Sequence, residues 1–215
     1  MATALLDLDG TLIDSGPVIF NAARHALGTL GLPVPADMRP FVGPPLPDGM
    51  RRVLGVPDDR VEEAISIYRA HQFDHLGDSP VYEGVLEACD ELRARGWALA
   101  VATSKREDLA RRTMDVLGLT PAFDVIAGGD EVSCAKDVVI GRALDRLGAK
   151  GLGNHGGPIM VGDRYHDIEG ARSHGIPAVF AAWGYGTRAE GAYADAVVEL
   201  PADLVGTLVG LADGR

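Results

Sequence analysis

The chain has 215 residues, 47% hydrophobic and 24% charged, with a formal net charge of −11. That length suits one large core or two modest ones, and the composition excludes global disorder, which needs fewer apolar residues. The negative balance argues against nucleic acid and anionic membrane as partners, and two cysteines, Cys89 and Cys134, are too few for a disulfide framework or a paired-cysteine zinc site.

No apolar run reaches the roughly 18–20 residues of a membrane span. Met1 to Asp7 lacks the basic and long apolar regions of a secretory signal, so a cytoplasmic location is expected.

Thr3 to Leu8 is a short apolar run ended by acidic residues and Gly10, which predicts a buried strand. Ser15 is placed to cap a helix that starts near Pro17 and runs to about Gly31. Prolines and glycines then crowd residues 32–47 and predict a loop with short helical pieces. From Asp58 or Asp59 an amphipathic helix runs to about Gly77, with Val61, Ala64, Ile65, Tyr68 and Phe73 on its apolar side. His71 and His75 on it read as ordinary helix surface, since Gln72-Phe73-Asp74 between them lacks the glutamate of a zinc-protease motif. No strand is expected between Gly16 and Pro80.

The rhythm then changes. Glu83 to Arg95 reads as helix stopped by Gly96. Trp97 to Thr103 is almost wholly apolar, as a parallel strand covered on both faces would be. A helix (Arg106 to Leu117), a strand (Asp124 to Ala127) and a helix (Ala135 to Leu147) follow. Residues 151–157 read as a surface loop. Ile159 to Val161 is a strand, His166 to His174 a helix, and Pro177 to Ala181 and Ala196 to Val198 two more strands. Cys89 reads as core and Cys134 as a structural thiol. This alternation predicts an α/β fold, a Rossmann-like parallel sheet flanked by helices. The expected core is residues 1–14 and 81–215, with a small all-helical cap, 15–80, inserted after the first strand as a lid.

Three predicted strands end in polar groups: Asp7-Leu8-Asp9-Gly10-Thr11, Thr103-Ser104-Lys105 and Gly162-Asp163, with Asp167 four residues later. Parallel sheets bind ligands at such ends. Four aspartates gathered in one crevice repel one another unless a cation sits among them, and all-oxygen ligation suits Mg²⁺ better than zinc. In this set Asp7 is a candidate nucleophile toward phosphorus and Asp9 a candidate acid and base. Asp7, Asp163 and Asp167 are candidate Mg²⁺ ligands, and Thr103 and Lys136 candidate phosphoryl contacts.

These residues resemble the haloacid dehalogenase superfamily, on its phosphatase side. Asp7-Leu8-Asp9-Gly10-Thr11, Thr103, Lys136 and Gly162-Asp163 with Asp167 match its four motifs in order, and the helical insert looks like its C1 cap. Phe41-Val42-Gly43-Pro44-Pro45-Leu46, Thr103-Ser104-Lys105, Met160-Val161-Gly162-Asp163-Arg164 and Trp183-Gly184-Tyr185-Gly186 look like the branch of phosphoglycolate phosphatases and 5′-nucleotidases. The resemblance spans essentially the whole chain.

It implies an aspartyl-phosphate on Asp7, acid–base work by Asp9, and a Mg²⁺ held by Asp7, the main-chain carbonyl of Asp9, Asp163 and Asp167. Thr103 and Lys136 would hold the phosphoryl group, with Gly10, Thr11 and Ser104 beside it. A third-motif lysine of this branch often precedes a proline; here Asp137 follows.

The implied activity is Mg²⁺-dependent hydrolysis of a small phosphorylated metabolite. Phosphonate hydrolases of the family need a cap lysine, and the only lysines are Lys105, Lys136 and Lys150. Sugar phosphomutases place a cap histidine where Ile19 stands. A phosphomutase and a non-catalytic phosphate-binding regulatory protein are the alternatives. Arg51 and Arg52, after the Gly43-Pro44-Pro45 loop, are candidate contacts for the non-phosphate end of the substrate.

Overall fold

A computed structural model describes residues 2–152 and 157–214; of the 151–157 loop, residues 153–156 lie outside the described residues. The chain forms two compact units, Met1–Asp14 with Val81–Arg215, and Ser15–Pro80.

In the first unit, six described strands form one parallel sheet: β1 (Thr3–Leu6), β2 (Ala98–Arg106), β3 (Val125–Gly129), β4 (Pro158–Gly162), β5 (Ala178–Ala181) and β6 (Ala196–Val198). Their order is β3-β2-β1-β4-β5-β6, all neighbours parallel. The chain therefore works outward from β1 on one side, then returns and works outward from β4 on the other. The crevice at the carboxyl ends of β1 and β4 is the point where the winding reverses.

Strand side chains alternate between faces, and the apolar runs use both. Ala4, Leu6, Leu99, Val101, Ile159, Val161 and Val179 share one core with helices α4 (Val85–Ala94), α5 (Glu107–Val116) and α9 (Leu204–Asp213). Leu5, Ala98, Ala100, Met160 and Phe180 face α6 (Lys136–Ala149) and α7 (Tyr165–Ser173). Cys89 is fully buried in the first core. The sixth helix of this unit is the single turn α8 (Arg188–Gly191).

β2 runs three residues beyond the predicted end at Thr103, with its pairing to β3 irregular between Ala102 and Arg106. No helix is among the sequence expectations for the segment of α9. Gly206 and Gly210 weaken it as a helix, and burial of Leu204, Val205 and Leu208 in the core compensates.

The second unit contains α1 (Gly16–Thr29), α2 (Leu46–Arg52) and α3 (Val61–Asp74), with no strand among its residues. Two local expectations are corrected. Ser15 stands at the N-cap of α1, but its backbone is already helical and its buried hydroxyl makes no capping bond. Phe73 is 46% exposed, whereas Gln72 is buried and donates to the Tyr68 hydroxyl at 3.0 Å. Helical spacing puts position 72, not 73, in line with Val61, Ala64, Ile65 and Tyr68, and the bond to Tyr68 satisfies the buried amide. The His71 and His75 rings stack at 4.3 Å, and His25 of α1 lies 4.5 Å from His71.

Leu99 is fully buried on β2, between β3 and β1. Leu99→Ala should lower unfolding stability by about 2–5 kcal/mol, read from urea denaturation; a loss below about 1 kcal/mol would mean that the core collapses around the gap.

Candidate active site

Strand register decides which side chains meet. Leu6 of β1 is level with Val161 of β4 and Val101 of β2, and the Asp7 N–H donates to the Val161 carbonyl at 2.9 Å. The next residues past these levels are the polar ones: Asp7, Asp163 two beyond Val161, and Thr103 two beyond Val101. Gly10 turns the chain at φ +88°, and a Cβ there would lie 2.4 Å from an Asp163 oxygen. Only glycine allows both the turn and the approach.

Asp7, Asp163 and Asp167 are buried, with one carboxylate oxygen of each within 4.8 Å of the others. Asp167 comes from the first turn of α7, where its other oxygen accepts the Arg164 N–H at 2.9 Å. One ammonium faces this set. Lys136, first residue of α6, has Nζ 2.8 Å from Asp7 Oδ1 and 2.7 Å from Asp167 Oδ1, and donates to the Ala102 carbonyl at 3.0 Å. Both carboxylate contacts are short, buried ion pairs. Both oxygens are otherwise without a hydrogen-bond partner.

Burial is the main force on Asp7 and pushes its carboxyl up to about 6; Lys136 opposes that shift and Asp167 adds to it. Asp163 is raised well above the carboxylate range by burial, then by Asp167 and Asp7. Burial pulls Lys136 down, but the two aspartates outweigh it and its ammonium is held more firmly than usual. Three carboxylates against one lysine leave the cluster with two negative charges in excess when ionised. Burial, an all-carboxylate donor set and this excess of negative charge fit a hard divalent cation.

The Asp9 carboxylate does not join the three. Lys105 Nζ holds both its oxygens at 2.8 Å, in a pair that is largely buried. The sequence reading gave Lys105 no role. The available signal was its spacing: residues two apart on a strand share a face, and β2 continues through Lys105, so it follows Thr103 toward the crevice. Thr103 is buried, and its hydroxyl oxygen accepts the Lys105 N–H at 3.2 Å, which leaves its own proton to donate. Thr11 is buried 3.4 Å from Asp163 Oδ1; Ser104 is half-buried beside Thr103. Arg51 and Arg52 belong to the other unit, on α2, where exposed Arg51 pairs with Asp58 at 2.8 Å.

The family model of the haloacid dehalogenase-like hydrolases matches residues 4–181. The chain belongs to that family. Tyrosine-protein kinase PtkA of Mycobacterium tuberculosis is 41% identical over 188 residues, which are 85% of this chain and 62% of that protein. The chain thus matches less than two thirds of that relative's length. The pyrophosphatase PpaX of Halalkalibacterium halodurans is 37% identical over 194 residues, 87% of this chain and 86% of that one. Among solved structures, a haloacid dehalogenase-like hydrolase of Streptococcus pneumoniae superposes with a TM-score of 0.85 at 29% identity, covering 96% of this chain and 97% of the other. No helix among the described residues is long and apolar enough to cross a membrane.

The raised Asp7 carboxyl has a signed consequence. A folded value near 6, above the ordinary 3.8, stabilises the fold fully only below about pH 4. That contribution is lost as pH rises through 6 and the ionised cluster repels itself. A bound divalent cation removes the repulsion. Millimolar magnesium or manganese chloride should therefore raise the melting temperature more at pH 7.5 than at pH 5. An equal gain at both would mean that the cation binds elsewhere.

Proposed function

We propose that the chain is a Mg²⁺-dependent phosphatase that hydrolyses a phosphate monoester of a small metabolite through an aspartyl-phosphate on Asp7. The observation that carries this reading is the pairing of a buried, strand-end Asp7 with Lys136 and with two further carboxylates suited to a cation.

The residues divide the work. An Asp7 oxygen attacks phosphorus; its bond to phosphorus forms as the ester oxygen–phosphorus bond breaks. The departing oxygen takes a proton from Asp9. In the second half Asp9 takes a proton from water, whose oxygen attacks the phosphoaspartate and frees Asp7 and phosphate. Thr103, Ser104 and the Gly10-Thr11 turn are the proposed donors to the phosphoryl oxygens, and Lys136 offsets their charge. Asp7, Asp163, Asp167 and the Asp9 carbonyl are the proposed Mg²⁺ ligands; when bound, the ion neutralises charge between nucleophile and phosphate.

The helical unit leaves the core at Asp14 and returns at Val81, just beyond the β1 turn in sequence. That point of insertion supports its role as a cap that admits small substrates and sets specificity. Arg51 and Arg52 are the proposed contacts to the non-phosphate end. The exposed ion pair of Arg51 with Asp58 is of the weak, readily exchanged kind. Arg51→Ala or Arg52→Ala should raise KM with little change in kcat; an unchanged KM in both removes them from the site.

Phosphate release from p-nitrophenyl phosphate should require Mg²⁺ and stop with EDTA. A panel of phosphoglycolate, nucleoside monophosphates, pyrophosphate and phosphotyrosine then ranks substrates, the last two prompted by the names of PpaX and PtkA. Asp7→Asn should keep the fold and fall below about 1% of wild-type turnover, a loss of several kcal/mol in transition-state stabilisation. Activity above that level would refute covalent catalysis.

A further inference from the structure

The Trp183-Gly184-Tyr185-Gly186 turn after β5 is not used by the chemistry above, yet it is built against the site. The Trp183 Nε1–H donates to the Thr11 carbonyl at 3.1 Å. A Cβ on Gly184 would lie 2.3 Å from both Asp163 Cβ and the Gly10 carbonyl, and one on Gly186 would meet the Asp163 carbonyl. The turn therefore lies directly on the Asp163 backbone. Its Tyr185 N–H donates to Asp163 Oδ2 at 2.7 Å, against 3.4 Å for the Thr11 hydroxyl on Oδ1. The main chain of Tyr185 is thus the firmer of these two holds on that carboxylate.

The other end of the same residue reaches the segments that lead to and from the helical unit. The Tyr185 hydroxyl donates to Asp14 Oδ1 at 2.6 Å. Asp14 is the last core residue before that unit, and Val81 the first after it. The two segments are joined: Ile13 bridges Val81, and the Tyr82 N–H donates to the Leu12 carbonyl at 3.1 Å. The Tyr82 phenol also lies against the Tyr185 hydroxyl, beside the Asp14 carboxylate. One phenol is therefore engaged by both the outgoing and the returning segment, while the backbone of the same residue holds Asp163.

We infer that Tyr185 is a positioning residue that couples the two segments at residues 12–14 and 81–82 to the Asp163 carboxylate. The inference rests on the reading of Asp163 as a cation ligand. A shift of either segment moves the phenol, and the stiff ring carries that shift to the N–H on Asp163. Cation affinity then depends on a hydroxyl that touches neither cation nor substrate, as hydrogen bonds behind metal ligands commonly tune binding.

The test is direct Mn²⁺ binding, read by electron paramagnetic resonance on the intact chain without substrate, beside the Mg²⁺ dependence of turnover. Tyr185→Phe keeps the backbone donor and the ring and removes only the hydroxyl. It should weaken Mn²⁺ binding by roughly three- to tenfold, the range for loss of one buried hydrogen bond, and raise the half-saturating Mg²⁺ by the same factor with substrate KM unchanged. Asp14→Ala should do the same, Asp14→Asn, which keeps an oxygen acceptor, should restore most of the affinity, and the double variant Tyr185→Phe with Asp14→Ala should be no worse than either alone. A lower melting temperature with Mn²⁺ affinity unchanged in both Tyr185→Phe and Asp14→Ala would make the bond purely structural and overturn the inference. Asp163→Asn is the control: if wild type and this variant bind Mn²⁺ alike, the reading of the site itself fails and the coupling falls with it.

Discussion

The structure is organised around an electrostatic conflict. Three aspartates are buried with oxygens within 4.8 Å of one another, and a single lysine faces them. At an effective dielectric near 20, each ionised pair at that separation repels by about 3–4 kcal/mol. Such a cluster persists only where the fold around it is overdetermined or where a cation relieves it. Here the fold supplies three parallel strands, a helix start that presents Lys136, and a turn that clasps Asp163. What it does not supply is enough positive charge, and that shortfall is the strongest statement the molecule makes about its chemistry.

The position of the conflict follows from topology. A parallel sheet collects the carboxyl ends of its strands on one edge. Strand order β3-β2-β1-β4-β5-β6 puts β1 and β4 side by side where the winding changes direction. Helices diverge from the sheet there and leave a crevice. The same layout explains the different surroundings of the two aspartates at the end of β1. Asp7, one residue past the Leu6–Val161 level, lies among carboxylates. Asp9, beyond the end of β1, meets Lys105 on β2 instead. Two aspartates two residues apart thus have opposite surroundings, one crowded by negative charge and one paired with a lysine.

The turns packed against Asp163 also have a physical account. Gly10 is needed because the Asp163 carboxylate occupies the space of a side chain. The Trp183-Gly184-Tyr185-Gly186 turn is small where it touches the Asp163 backbone and large where it reaches Asp14. Its composition reflects two demands on one loop, close approach at the glycines and long reach at the aromatic rings.

Much of this protein was legible in its amino-acid order. Runs such as Trp97 to Thr103 predict strands covered on both faces because only a sandwiched strand buries every side chain. Polar residues after such runs mark strand ends, so Asp7, Thr103 and Asp163 stand out in the sequence. Local signals failed where long-range packing outweighs them. The glycine-weakened α9 forms because Leu204, Val205 and Leu208 find the core, and the Ser15 hydroxyl does not cap. Only the folded chain could show that Asp9 leaves the aspartate cluster for Lys105, 96 residues away in sequence, or that Tyr185 spans Asp163 and Asp14. Periodicity records which face of an element is buried; it holds no information about which distant side chain arrives there, because that is set by strand order and register.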